Sequence, residues 1–421
     1  TLLKIGILFN IVLLFIFKYF NFFIDNLNIF GFNFQQINIL LPIGISFYTF
    51  QQIGFLVDIY KKDSKICHFF EYASFVSFFP QLIAGPIVHH ADFISQIKSK
   101  NYKPDDKHNI SLGIVIFIIG LFKKIIIADT LSVKLVKPFY DYVAQGNVAS
   151  TLTAWIGTFS YSMQIYFDFS AYSEMAIGLG LLFGITLPIN FNSPFQSISL
   201  IDYWSRWNIT LSNFISNYIY LPIFKKLCYG SSRFFSNHIS AIILSMTISG
   251  FWHGASWNFI LWGVIHGCAL AINHIFKAKK IYKDMPLFLK RTMLVLFINT
   301  SFVVFKVSDL DLIKSILISM FPVDNILNLK FINTFNLQID ISLFYYAIFI
   351  LLAFVVLFSP STLKILGYES INNKINLKKS IFKKYNFSKF EIINFSIILS
   401  LCFILCIAYV HRQNEFIYFQ F

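Results

Sequence analysis

What this chain can fold into is set by apolar windows of about twenty residues, the length that carries an α-helix across the hydrocarbon core of a bilayer. They recur at roughly 2–24, 37–60, 68–88, 110–128, 152–168, 170–187, 239–252, 256–276, 288–306, 341–359 and 391–410. In lipid every backbone N–H and C=O must be satisfied within the chain, so such windows become helices. The hydrophobic share is 57% and the charged share 13%, against about 25% charged residues in a soluble domain. The expected fold class is therefore all-α, a polytopic membrane protein. No long linker or tandem repeat divides the sequence, so residues 1–421 read as a single domain. Two windows are imperfect. Pro42 and Gly44 interrupt the second, and Pro80, Gly85 and Pro86 interrupt the third, which makes 68–88 a candidate re-entrant piece. The segment 195–227 is too polar to span yet rich in aromatics, and reads as an amphipathic interfacial or partly inserted helix.

The net charge is +14, from 34 basic and 20 acidic residues. In a membrane chain such an excess marks cytoplasmic loops and contact with anionic lipid, and no nucleic-acid partner is expected. Lys277, Lys279, Lys280, Lys283, Lys290 and Arg291 form one cluster; Lys374, Lys378, Lys379, Lys383 and Lys384 form another. The windows 288–306 and 341–359 separate the clusters, so both can face the cytoplasm. That puts the C-terminus outside if 391–410 crosses once. Cys67, Cys228, Cys268, Cys402 and Cys406 form no Cys-x-x-Cys pair, so buried thiols are expected rather than disulfides or a zinc site. The first run carries Lys4 and Lys18 without a small-residue cleavage site, so no cleavable signal peptide is expected.

Two histidines sit in the most apolar stretch: His253 in Ser249-Gly-Phe-Trp-His-Gly254, and His266 in Trp262-Gly-Val-Ile-His-Gly267. An ionisable side chain at membrane depth is costly, and is kept either for function or as interhelical glue. Each precedes the second glycine of a Gly-x-x-x-Gly pair, Gly250/Gly254 and Gly263/Gly267, which lets helix backbones approach closely. Imidazole suits proton transfer near neutral pH, and an apolar pocket favours the uncharged form that a base requires. On one straight helix the two histidines would stand roughly 20 Å apart. Unless the chain breaks at Gly254 they do different jobs, with His266 structural or lining a path. No metal site is expected.

Arg206, between Trp204 and Trp207, is placed to hold a phosphate-bearing donor or an anionic headgroup, or else to snorkel at the membrane surface. Asn208 is a candidate hydrogen-bond donor to an oxyanion, or plain helix surface. Asp168 and Glu174 interrupt an apolar region with Tyr166, Ser170 and Tyr172 as partners, in a proton relay or a structural network. Gly178-Leu-Gly180 lacks a preceding strand and is no dinucleotide fingerprint. No Gly-x-Ser-x-Gly elbow supports a serine hydrolase. His89-His90 follow Gly85-Pro86 at a membrane edge and read as solvated loop histidines.

Taken in order, several strings resemble the membrane-bound O-acyltransferase (MBOAT) superfamily, in its bacterial alginate O-acetylation branch. They are Leu41-Pro-Ile-Gly-Ile-Ser-Phe-Tyr48, Phe78-Phe-Pro-Gln-Leu-Ile-Ala-Gly-Pro-Ile-Val-His-His90, Tyr166-Phe-Asp-Phe-Ser170, Leu187-Pro-Ile-Asn-Phe-Asn-Ser-Pro194, Asp202-Tyr-Trp-Ser-Arg-Trp-Asn208, Ser249-Gly-Phe-Trp-His-Gly254 and Phe416-Ile-Tyr-Phe-Gln-Phe421. The resemblance implies a multi-helix bundle with a central funnel or tunnel, with His253 at the catalytic histidine and Asn208 where this branch often has histidine. It implies an O-acyltransferase of the bacterial inner membrane, multi-pass. Such an enzyme moves an acetyl group from acetyl-CoA to a cell-envelope glycan, directly or through a periplasmic acyltransferase partner. Substrate contacts are expected from Arg206, Trp204, Trp207, Asp168, Tyr172, Trp252 and His266. The family usually carries further spans before the position of Thr1. Ser216-Asn217 stand where Arg-Asp is common, Pro222-Ile-Phe-Lys where Pro-Leu-Gly-Gly is usual, Ala171 and Glu174 where Gly and Asp are common, and Val304-Phe-Lys-Val for Phe-Phe-Arg-Ala. A transporter with a proton path through Asp168, Glu174 and the histidines, or a non-catalytic scaffold, are the rival readings.

Overall fold

The structure, a computed structural model, describes residues 1–64, 67–82, 85–100, 102–281, 283–321, 342–371, 374–377 and 388–412. The closing motif 416–421, Ile83-Ala84 of the proline-bearing motif, and Lys378, Lys379, Lys383 and Lys384 lie outside the described residues. The long helices are α1 (Leu2–Ile29), α2 (Ile45–Lys61), α3 (Lys107–Ala144), α4 (Thr151–Leu182), α5 (Phe234–His253), α6 (Trp257–Ala278), α7 (Leu287–Lys306) and α8 (Glu391–Tyr409). Among the described residues six of these, all but α2 and α4, are long and apolar enough to cross a membrane. The chain is a multi-pass membrane protein. Leu343–Phe358 is a shorter apolar helix. A two-stranded antiparallel hairpin, Tyr368–Ile371 with Lys374–Leu377, is a small departure from the all-α expectation.

The sequence predicts two spans at 152–168 and 170–187; the structure has one 32-residue helix, α4, about 48 Å long. The apparent break is the polar pair Asp168 and Glu174. Polar side chains do not stop a helix when each finds a partner, and these do. Lys124 lies 2.8 Å from Asp168 and 2.9 Å from Asp129, and Lys123 lies 2.8 Å from Glu174. Both lysines come from a π-helical stretch of α3, Lys123–Ala128. Above this layer the α3 and α4 backbones touch: a Cβ on Gly113 would come within 2.7 Å of the Gly178 carbonyl oxygen. Such a buried ionic layer adds little net stability, but removing one partner strands a charge. The main core is one continuous cluster around α4, including Tyr161, Phe169, Phe195, Trp207, Trp252, Trp262 and Phe302.

Elsewhere the interruptions are real. Gly44 adopts φ +76°, and the helix of the second window starts only at Ile45. The window 68–88 forms two short helices, Phe69–Val76 and Phe79–Leu82, neither long enough to cross. The amphipathic segment is not one helix either. It breaks between Leu200–Trp204 and Ile209–Phe214, because Asn208 takes a left-handed conformation.

Candidate active site

Helix α5 ends at His253 because Gly254 is extended (φ −167°, ψ 155°) and the chain turns back into α6. The straight-helix geometry therefore does not apply, and α5 and α6 form a tight antiparallel hairpin. Its glycines set the spacing: a Cβ on Gly250 would collide with the Phe259 carbonyl and stand 2.9 Å from Gly263 Cα, and one on Gly267 would stand 2.9 Å from Ile243 Cα. This close approach brings the two histidines onto one indole. The Trp262 ring lies 5.3 Å from the His253 ring and 4.4 Å from that of His266, centroid to centroid.

Aromatic rings pack around His253: Trp252 lies at 5.1 Å and Phe305 at 5.3 Å, beside Trp262. Phe305 is held there by Asn258, whose amide donates to the Val304 and Phe305 carbonyls at the end of α7. The open end of α5 is closed from α1. Lys18 Nζ donates to the Trp252 carbonyl at 2.7 Å, the His253 carbonyl at 3.1 Å and Ser46 Oγ at 3.3 Å, and Tyr19 OH donates to the Phe251 carbonyl at 3.1 Å. Three acceptors take all three ammonium hydrogens, and a cation at a helix C-terminus meets the negative end of its dipole. Lys18 was missed as a site residue at the sequence level, although a lysine deep inside an apolar run is a signal in itself.

His266 donates through Nε2 to Ser301 Oγ at 3.0 Å, since that hydroxyl spends its own hydrogen on the Ile298 carbonyl. This fixes the ring tautomer with Nδ1 as a buried lone pair.

The turn from Trp204 to Asn208 packs on the same assembly. Trp204 lies 5.9 Å from Trp262 and 5.4 Å from His266; Trp207 stacks on Tyr203 and lies 5.6 Å from Phe302. Asn208 is buried in the left-handed conformation (φ 42°, ψ 56°), which asparagine tolerates better than most residues. The neighbouring Asn190 pins the turn: its carbonyl accepts from Ile209 N, and its side-chain oxygen accepts from Thr210 Oγ1 at 2.6 Å. The indole N–H groups of Trp204, Trp252 and Trp262, whose rings lie against the histidines, are buried without a hydrogen-bond partner among the described residues, and so is the amide nitrogen of Asn208 at the end of the neighbouring turn. Buried polar groups in this state are rare, and several in one place mark a site.

The other predicted residues are placed differently. Asp168 belongs to the ionic layer with Lys124, and the half-buried Tyr172, one turn on, packs against the main core. Arg206 is tied to Asp202 at 2.7 Å and is half-exposed. Pairing with lysines makes Asp168 and Glu174 poor members of a proton path. His90 is a correction: it is buried, 3.1 Å from Ser64 Oγ, and packs against Phe55 and Phe75 rather than lying in water. A cavity of about 930 Å³ opens beside the site, with Ile209 and Thr210, next to Asn208, forming part of its wall.

Residues 58–310 match MBOAT, the membrane-bound O-acyltransferase family. A protein of Helicobacter pylori named peptidoglycan O-acetyltransferase is 41% identical over 339 residues, covering 73% of this chain and 62% of that protein. A protein of Azotobacter vinelandii named "Probable alginate O-acetylase AlgI" is 36% identical over 328 residues, covering 76% of this chain and 62% of its own length. A teichoic acid D-alanyltransferase of Streptococcus thermophilus is 28% identical over 249 residues, covering 58% and 59%. The chain thus spans about three fifths of the length of the curated relatives it matches.

Proposed function

The chain belongs to the membrane-bound O-acyltransferase family, and on that premise we propose that it O-acetylates a cell-envelope glycan in a bacterial inner membrane. The donor in this reading is acetyl-CoA from the cytoplasm. The acceptor is a hydroxyl of the glycan, or of a periplasmic partner that passes the acetyl group on. One observation carries the reading: His253 lies among aromatic rings, with the buried and otherwise unused indole N–H donors of Trp252 and Trp262 beside it and that of Trp204 packed against Trp262.

The chemistry is acyl transfer. His253 takes the hydroxyl proton as the oxygen attacks the thioester carbonyl carbon. Negative charge gathers on the carbonyl oxygen, where fixed N–H donors in a water-poor site stabilise it most. Collapse of that intermediate breaks the carbon–sulfur bond. The proton held on His253 then goes to the departing thiolate, leaving an ester and a thiol. Lys18 and the Gly254 break hold the imidazole in place, and Asn208 orients the reacting oxygens.

The test is acetyl transfer from radiolabelled acetyl-CoA to an envelope glycan fraction by the protein in lipid. A base-labile labelled ester from wild type and none from His253→Ala is the expected result. Equal transfer by the variant sinks the mechanism.

A further inference from the structure

The geometry points to the cavity beside Asn208 as an anion subsite, in which His89 and Lys364 hold the phosphate groups of the acyl donor. This deepens the acyl-transfer reading above and rests on it for the donor's identity.

His89 is not the loose surface residue its loop position suggests. Its Nδ1 lies 3.3 Å from Asp58 Oδ2 and 3.2 Å from Tyr218 OH, and Tyr218 OH donates to Asp58 Oδ1 at 2.6 Å. With both hydroxyl and carboxylate acting as acceptors, Nδ1 carries a hydrogen, and Nε2 is left for the cavity that His89 lines. Such a ring, oriented by a carboxylate and a phenol and reaching open space, is a built recognition element. The hydrogen bond that Nδ1 donates to the Asp58 carboxylate also raises the His89 pKa above its ordinary value of 6.5.

Lys364 lines the same cavity and has no ion-pair partner among the described residues. Among the described residues Asp92 is the one carboxylate in the wall, and Asp58 behind His89 offsets that ring's charge, so the pull on an anion comes from Lys364 and from directed N–H donors rather than from net charge. Asn192, Asn213 and Asn217 add neutral amides. A phosphate ester wants this mixture of cations and amide donors.

The location agrees. Gln96 and Tyr102 bond the Thr186 and Phe183 carbonyls, so the far end of α4 shares its side of the bundle with Lys98, Lys100, Lys103 and Lys107. Basic segments face the cytoplasm, where coenzyme A thioesters are made soluble and abundant. From there the wall at Ile209 and Thr210 leads to Asn208. The volume, about 930 Å³, is at the upper end of ordinary ligand pockets.

The experiment compares binding of coenzyme A and of pantetheine, which has no phosphate, to the full chain in lipid discs. Wild type should prefer coenzyme A. His89→Ala should reduce that preference about tenfold, Lys364→Ala by less, and His89→Lys, which keeps a cation, should restore most of it. An unchanged preference in His89→Ala, or no preference in wild type, overturns the subsite. Displacement of coenzyme A when zwitterionic lipid is exchanged for anionic lipid would reassign the cavity to headgroups and overturn it too. Acetyl transfer measured alongside separates the two readings. Transfer with an unaltered KM for acetyl-CoA in His89→Ala removes the subsite alone. Phosphate preference without any transfer removes the acyl-transfer reading alone.

Discussion

His253 and His89 are the same side chain put to opposite use. Around His253 lie the rings of Trp252, Trp262 and Phe305, and Lys18 spends its hydrogens on two backbone carbonyls and the Ser46 hydroxyl. Around His89 the neighbours are a carboxylate and a phenol, and one side is open to a cavity. The first setting favours a ring that accepts a proton during reaction and gives it back. The second favours a ring that keeps its proton and holds an anion. Environment, not residue type, divides the labour.

The comparison breaks most sharply at His253. His253→Ala should lower kcat by 10²–10⁴-fold, roughly the range of a lost general base, while leaving coenzyme A binding close to normal; a loss confined to KM would place His253 in binding instead. Next comes the residue that holds it. Lys18→Met uncovers two carbonyls at the end of α5 and should cost about tenfold in kcat with little change in KM, with Lys18→Arg recovering part. Equal KM and kcat losses in steady-state assays would make Lys18 a purely structural cap.

At the other histidine the effect moves to the donor. Asp58, Tyr218 and Asp92 face His89, and Lys61 lies over the Tyr218 ring at 5.4 Å. Because its pKa is raised, the imidazolium persists above the ordinary 6.5 and is lost as pH climbs through the raised value. The KM for acetyl-CoA should therefore rise with pH across that window in wild type and stay flat there in His89→Lys. A pH-independent KM in wild type would remove the charge from the argument. The smallest effect belongs to His266. Ser301→Ala removes the acceptor of its Nε2–H and should destabilise the protein by about 1 kcal/mol, seen in thermal unfolding, with activity changed only a few-fold.

The spans and the histidine motif were legible in the sequence because hydropathy and Gly-x-x-x-Gly spacing are local properties. Gly254 was legible only as a condition, since a glycine marks a possible break without deciding it. The continuity of α4 was hidden because what rescues Asp168 and Glu174 is a pair of lysines on another helix. His89 is partly exposed, in keeping with a loop histidine, but its partners were hidden for the same reason: Asp58 and Tyr218 lie 31 and 129 residues away in the chain, and no local pattern links them. Asn208 was picked out by its motif, but its left-handed turn was not foreseen.

The ionic layer between α3 and α4 also constrains how the protein is made. Lys123 and Lys124 on α3 answer Asp168 and Glu174 on α4, and each charge alone at the middle of a bilayer costs about 2.5–3.5 kcal/mol on insertion scales. Neither helix can settle in lipid by itself without carrying that penalty. The two are joined only by residues 145–150, so they leave the ribosome nearly together and can enter the membrane as one hairpin with these charges paired. The order of synthesis thus supplies each charge with its partner before it meets hydrocarbon.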